Sequence, residues 1–332
     1  MSENTSYIRL ENITKWYPYK GGFNMFKSAA EKKWIKAVDG VNLTLEKGEI
    51  LGVIGESGCG KSTLGRMLMR LENPTKGDVF IDNVSTSEMI KKDQKDFRRM
   101  VQIIFQNPFD TFNPRSRIED ILIRPLDIHN IGASREERLQ ICYDTLEAGG
   151  LRPAKDIMAR FPHELSGGQL QRISIIRAMN LDPSFIIADE PVSMLDVSVR
   201  SDIINMILRL RSEKQATVVF ISHDIALTRY ISDNIAVMYL GRVVEYGSAD
   251  EIVKNPRHPY TMALISNCGS IDLEDIEEPI TITGEPPTPI NPGPGCYFAP
   301  RCNMAGAECF EKYPEMKNYG GSHTASCFRI QQ

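Results

Sequence analysis

The hydrophobic pattern changes period several times along the chain, and each change predicts an element. Near the start, Tyr7-Ile8-Arg9-Leu10 reads as β-rich, and Val41-Asn42-Leu43-Thr44-Leu45 alternates apolar and polar positions, the period of a half-buried strand. A Lys47-Gly48-Glu49 turn leads into Ile50-Leu51-Gly52-Val53-Ile54, an apolar run that reads as a buried strand. A helix over 62–71 is predicted directly after it, stopping before Asn73-Pro74, with a short hairpin-like segment at 77–82. From about 107 to 180 the pattern is mainly helix and loop, with helices opening at Ser134 and at Ser166. Apolar runs return at 185–188, 216–222 and 235–239, separated by helical stretches such as 197–213. That alternation predicts a parallel sheet covered on both faces, an α/β fold. The aperiodic polar and aromatic stretch between Pro18 and Ala37 reads as a loop, and the sign-alternating run 91–99 as a solvated helix face.

Composition adds boundaries and exclusions. After Ser270 the chain turns acidic over 272–278 and then dense in Pro and Gly over 279–295, which predicts an extended segment. The domain reading is therefore a main domain over 6–270, a linker over 271–295 and a Cys-rich region over 296–332. The 332 residues suit about two domains of roughly 150. Lys plus Arg number 39 against 43 Asp plus Glu, a net charge of −4, which argues against a general nucleic-acid or anionic-lipid binder. No uncharged apolar run approaches the roughly 18 residues that span a bilayer. The first residues lack the basic and apolar regions of a secretory signal, so a cytosolic chain with reduced cysteines is expected. Four of the seven cysteines, Cys296, Cys302, Cys309 and Cys327, share the last 37 residues, which points to a metal or cluster site.

The strongest chemical signal is Gly55-Glu56-Ser57-Gly58-Cys59-Gly60-Lys61-Ser62-Thr63, a G-x-x-x-x-G-K-[ST] loop lying between a predicted strand and a predicted helix. Its glycines let backbone N–H groups surround a polyphosphate, Lys61 reaches the β- and γ-phosphates, and the Ser62 hydroxyl supplies an oxygen to Mg²⁺. The strand at 185–188 ends in Asp189-Glu190, the pair that in phosphoryl transfer holds Mg²⁺ and polarises the attacking water.

Leu165-Ser166-Gly167-Gly168-Gln169 opens a helix, and with it the sequence resembles the ATP-binding subunits of ABC transporters. The resemblance implies a P-loop, RecA-like nucleotide-binding domain with an antiparallel β subdomain, an inserted helical subdomain at about 107–180, and a small Cys-rich C-terminal extension. It implies that Ser166, Gly167, Gly168 and Gln169 cradle the γ-phosphate of a neighbouring subunit in a head-to-tail dimer. Gln106 matches the Mg²⁺-sensing glutamine, Ser193-Met194-Leu195-Asp196 the loop that signals across the dimer, and His223 the switch histidine at the γ-phosphate. Tyr17 fits the aromatic ring that stacks on adenine, with Trp16 as the competing ring. With Lys61, Asp189, Glu190 and His223 all present, the resemblance implies an active ATPase rather than a non-hydrolysing subunit.

Asn255-Pro-Arg-His-Pro-Tyr-Thr261, Gly284-Glu-Pro-Pro and Gly295-Cys-Tyr-Phe-Ala-Pro-Arg-Cys302 narrow the likeness to ATPases of bacterial dipeptide and oligopeptide importers, across essentially the whole chain. Asn107 and Met194 depart from residues common in that family, removing no chemical group used above. Four thiols separated by five, six and seventeen residues suit an iron–sulfur cluster, a zinc ion or no ligand at all; the resemblance implies a [4Fe-4S] cluster on Cys296, Cys302, Cys309 and Cys327. It further implies ATP and Mg²⁺ as cofactors, a second identical or paralogous ATPase, two transmembrane permease subunits, and an extracytoplasmic binding protein. The chain would then sit peripherally on the cytoplasmic face of the inner membrane and drive peptide import by nucleotide-dependent dimer closure. Nickel or metal-chelate import, and a soluble non-transport ABC ATPase, stand as alternatives.

Overall fold

The computed structural model describes residues 6–19, 33–268 and 280–330. The strands among these are β1 (Ile8–Pro18), β2 (Trp34–Leu45), β3 (Ile50–Ile54), β4 (Lys76–Ile81), β5 (Val84–Ser85), β6 (Val101–Ile104), β7 (Phe185–Asp189), β8 (Thr217–Ile221), β9 (Asn234–Tyr239), β10 (Arg242–Ser248), β11 (Lys317–Asn318) and β12 (Thr324–Ala325). The chain divides into two compact units, one of residues 1–45, 50–85 and 221–332, the other of 46–49 and 86–220.

In the first unit an antiparallel sheet runs β2-β1-β4-β5, with Ile8 opposite both Leu45 and Ile81. Ile8, Leu10, Leu43, Leu45, Val79 and Ile81 are all buried, as the period-2 pattern requires. The segment 77–82, read as hairpin-like, supplies most of β4 and the first turn residue of a longer hairpin: β4 pairs with β5 through Asp82-Asn83, both at positive φ (49° and 62°), the geometry that matches strand twist. Residues 34–37, expected in a loop, begin β2 instead. Lys36 faces Trp16 and Trp34 faces Pro18, so long-range pairing makes a strand where no local period shows. The rest of that expected loop, 20–32, lies outside the described residues.

The unit's other strands run β11-β12-β10-β9-β3, with β3 parallel to β9 and the remaining pairs antiparallel. Every residue of β3 is buried, which is why its apolar run is unbroken. Tyr239, Tyr260 and Phe298 form a ring cluster with centroids 4.7–5.3 Å apart, joined to Ile54, Val237 and Tyr297 in one apolar core. Glu245 of β10 is fully buried, yet its carboxylate accepts from Arg257 N (2.7 Å) and His258 N (2.8 Å) and meets His323 Nε2 at 2.7 Å. A buried carboxylate is tolerated because each oxygen is occupied.

The second unit orders its strands β8-β7-β6, with β6 parallel to β7. Helices Ile118–His129, Arg135–Ala148, Ala154–Ala159, Gly167–Met179 and Val197–Lys214 belong to it. The run 91–99 falls into two short helices, the second capped by Asp93, whose Oδ1 accepts from Lys95 N and Asp96 N, and it buries Phe97. No described helix is long and apolar enough to cross a membrane.

Candidate functional site

In the first unit the loop after β3 enters the helix Lys61–Leu68 directly, as the motif predicts. Gly60 caps that helix at φ +107°, and a Cβ there would lie 2.2 Å from the Ala37 carbonyl oxygen, so only glycine fits. Lys61 is buried, and its Nζ donates to the carbonyls of Gly55 (2.7 Å) and Glu56 (3.1 Å). Both acceptors are neutral, so a polyphosphate entering the loop offers the ammonium a stronger, charge-assisted partner. Ser57 and Gly58 are exposed, whereas Gly55 and Cys59 are buried. Burial pushes the Cys59 thiol up, the nearby Lys61 charge opposing it, which leaves it an uncharged packing group.

Tyr17 and Trp16 divide two roles between the faces of β1. The Tyr17 hydroxyl donates to Glu72 and also interacts with Thr63, at the start of the P-loop helix; burial and the Glu72 bond push it up to about 12. Trp16 instead donates Nε1–H to Asp39 Oδ1 (3.1 Å), with the ammonium groups of Lys36 and Lys76 over its ring. Tyr17 is therefore the ring beside the loop. His223 sits exposed in the turn after β8, fixed on both sides: Ser222 N donates to Val53 O (3.2 Å), and Asp224 caps the helix Ile225–Ile231 through Leu227 N.

The second unit brings Gln106, Glu190 and Ser193 together. Gln106 Nε2 donates to Ser193 Oγ (3.2 Å), which donates to Glu190 O (3.1 Å), while Ser193 N donates to the same carbonyl (3.3 Å). Glu190 adopts φ +50°, an uncommon value for a side-chain-bearing residue, and it turns the chain sharply off the end of β7. Ser166 forms a reciprocal capping box with Gln169: Gln169 N donates to Ser166 Oγ (3.3 Å) and Ser166 N to Gln169 Oε1 (3.0 Å). Gly167 and Gly168 occupy the first turn of the helix thus capped, and Asp196 caps the next helix, Val197–Lys214, with its backbone alone. One contributor went unread in the sequence: Gln171, fully buried, ties Phe105 O (3.1 Å) to Pro191 O (2.9 Å). Its only signal is a glutamine among the inward positions of an apolar helix.

The expectation of an iron–sulfur cluster on Cys296, Cys302, Cys309 and Cys327 is corrected. Among the described residues no group of three or more His, Cys, Asp or Glu side chains is arranged to hold a metal ion, and none of the seven cysteines forms a disulfide. Two of the tail sulfurs accept from the backbone, Cys302 Sγ from Met304 N and Cys327 Sγ from Arg329 N. Burial pushes the Cys296 thiol up to about 11 and raises Cys302 and Cys327, with the neighbouring tail cysteines adding to the shift. The Cys spacing alone had no means of showing this.

Comparison with known proteins agrees with the nucleotide motifs. The ABC transporter family matches residues 38–193, and the family described as oligopeptide/dipeptide transporter, C-terminal region, matches 244–309. The dipeptide transport ATP-binding protein DppF of Escherichia coli is 44% identical, over 97% of this chain and 93% of its own. The oligopeptide transport ATP-binding protein AppF of Bacillus subtilis is 42% identical, over 96% of each. Among solved structures, an ATP-binding cassette captured as a dimer in a post-hydrolysis state with ADP and phosphate superposes with TM-score 0.63 at 31% identity, covering 73% of this chain and 98% of that one.

Proposed function

The chain belongs to the ATP-binding proteins of ABC transporters, and from that premise we propose that it is the ATP-hydrolysing subunit of a di- or oligopeptide importer. The observation that carries the reading is the pairing, in one chain, of a complete P-loop whose Lys61 rests on two neutral carbonyls with a C-terminal region of the peptide-transporter type. ATP binds with its phosphates along the loop 55–63 and its adenine against Tyr17. The donors suit Mg²⁺: the Ser62 hydroxyl, the Asp189 carboxylate and the Gln106 amide oxygen are all hard oxygens, and Ser193 already takes the Gln106 N–H. When bound there, Mg²⁺ would offset negative charge on the phosphate oxygens as the γ-phosphoryl group passes from ADP to water.

Ser166, Gly167, Gly168 and Gln169 meet the γ-phosphate of a second ATPase, identical or paralogous, and Asp196 lies at the same interface. Glu190 accepts a proton from the attacking water, while His223 holds the γ-phosphate in place. Closure of the ATPase pair drives two transmembrane permease subunits, fed by an extracytoplasmic binding protein, with this chain peripheral on the cytoplasmic face of the membrane. The Cys-rich stretch from 296 is a small extension of the cassette.

The test is affinity capture of the tagged chain from detergent-solubilised membranes, followed by uptake of a labelled dipeptide into vesicles reconstituted from the captured complex. Two permease subunits and ATP-dependent dipeptide uptake are expected, with Glu190→Gln retaining ATP and abolishing uptake. Capture of soluble or ribosomal partners alone, or uptake of a nickel chelate and no peptide, would overturn the assignment.

A further inference from the structure

Glu56 occupies one of the variable positions of the P-loop, and it is held more tightly than any motif requires. Arg301, 245 residues away in sequence, grips its carboxylate with two parallel hydrogen bonds, Nη1 to Oε2 (2.7 Å) and Nη2 to Oε1 (2.9 Å). The guanidinium is itself held in place: Nη2 also donates to Gly284 O (2.8 Å), Nε to Thr283 O (3.3 Å) and Nη1 to the Tyr239 hydroxyl (3.4 Å). The Arg301 side chain is 7% exposed. A planar fork whose N–H groups are all engaged is preorganised for a carboxylate in a way lysine is not.

The backbone of Glu56 is fixed too. Its N–H donates to Tyr260 Oη (2.8 Å), and its carbonyl is one of the two acceptors on which the Lys61 ammonium rests. On the outer side Ser57 and Gly58 are exposed, and a Cβ placed at Gly58 would find no heavy atom among the described residues within 4 Å. The inner end of the loop therefore bears on where its N–H groups and Lys61 stand, and among the described contacts Arg301 is the charged group that grips the Glu56 side chain at that end.

We propose that Arg301 is a positioning residue for nucleotide binding: by clamping Glu56 it sets the P-loop geometry, so the C-terminal segment tunes the affinity for ATP. The proposal rests on the P-loop of this chain binding ATP. A bridge that merely anchored the tail would alter stability and leave nucleotide affinity alone, and that difference decides between the two.

The experiment measures ATP affinity of the full chain by titration calorimetry beside its urea midpoint. Arg301→Ala is expected to weaken ATP about tenfold and Arg301→Lys about threefold, since lysine keeps the charge and loses the fork. Glu56→Gln is expected to weaken ATP as Arg301→Ala does, and the double variant Glu56→Gln/Arg301→Ala no further than either single change. Wild-type ATP affinity in Arg301→Ala and Arg301→Lys, whatever their midpoints, overturns the proposal, as does a double variant whose loss is the product of the two singles. Should Arg301→Ala fail to fold, Arg301→Lys and Glu56→Gln carry the same comparison. Lys61→Ala separates the two levels: wild-type ATP affinity in that variant removes the nucleotide reading itself, whereas its loss beside an unaffected Arg301→Ala removes only the clamp.

Discussion

Replacing Gly60 with alanine tests whether the P-loop is shaped by its own glycines or by the frame around it. At φ +107° an L-residue is strained, at a cost of about 1–3 kcal/mol. The new Cβ would stand 2.2 Å from Ala37 O, 3.3 Å from Ala37 C and 3.5 Å from the Gly241 Cα. A Cβ keeps at least about 3 Å from other heavy atoms, so the Ala37 carbonyl must move by close to 1 Å to relieve the overlap. Neither neighbour is loose: Gly241 N donates to Cys59 O (2.8 Å) and Asp39 N to Gly241 O (2.8 Å), which ties β2 and the β9–β10 corner to the loop. Overpacking of this kind adds about 1–3 kcal/mol. Gly58 supplies the control, because it too has positive φ (+79°) but opens on empty space, so Gly58→Ala incurs the backbone term alone. Both tryptophans, Trp16 and Trp34, lie in the first unit, so urea unfolding followed by their fluorescence reads the unit that holds the loop. Gly60→Ala should lose about 2 kcal/mol more than Gly58→Ala, a further shift of roughly 1 M urea in the midpoint. Equal midpoints for the two variants would refute the steric argument.

Three further outcomes follow from the contacts described. Tyr17→Ala should weaken ATP about tenfold through lost stacking on adenine, Tyr17→Phe should stay within about threefold because the ring remains, and Trp16→Ala should destabilise the fold with little change in affinity; calorimetric titration that ranks Trp16 above Tyr17 refutes the assignment. Ser193→Ala removes the hydroxyl linking Gln106 to the Glu190 carbonyl, worth about 1 kcal/mol, so ATPase turnover of the assembled complex should fall several-fold while ATP affinity holds; unchanged turnover makes the link incidental. Burial holds His258 down at about 4, against 6.5 ordinarily, so between those values the unfolded chain binds the extra proton and acidification lowers stability by about 3 kcal/mol. His258→Asn keeps an acceptor for Tyr260 N and should lose that much less between pH 7 and pH 4 in urea titrations; equal losses contradict it.

What the sequence showed and what it hid divide along the range of the interactions. The P-loop was legible because strand, loop and helix are consecutive and each carries its own local signal, from the apolar run 50–54 to the helix starting at Lys61. The Ser166 helix was legible for the same reason, since its capping box spans four residues. The start of β2 at Trp34 was not, because the partner strand, not a local period, makes it a strand. Glu56 and Arg301 were invisible as a pair: one occupies a position the motif leaves open, the other lies in the Cys-rich segment, which was read for its cysteines. Those cysteines show the opposite failure, in which four residues of suggestive type and resemblance have no metal-holding arrangement among the described residues.

The C-terminal segment bears on the nucleotide unit through its interior as well as through Arg301. Tyr297 donates to Asp39 Oδ2 (2.9 Å), the same oxygen that Arg242 grips at 2.7 and 3.1 Å, while Trp16 holds Oδ1 of that carboxylate. Burial would raise Asp39, but the Arg242, Tyr297 and Lys36 contacts outweigh it and hold the carboxyl below its ordinary range. The tail thus completes the polar network that keeps Trp16 on its own face of β1, away from the ring position Tyr17 occupies. Tyr297 and Phe298 are 8% and 3% exposed, and removing two such rings from water contributes about 3–6 kcal/mol, a large share of the 5–15 kcal/mol by which a domain is stable. Deleting the tail would also remove the strand β12 paired beside Glu245 and its His323 contact. A truncated chain that fails to bind ATP therefore reports a damaged core, and only single changes at Arg301 or Glu56, which leave the rings and Glu245 in place, can separate control of the P-loop from support of the fold.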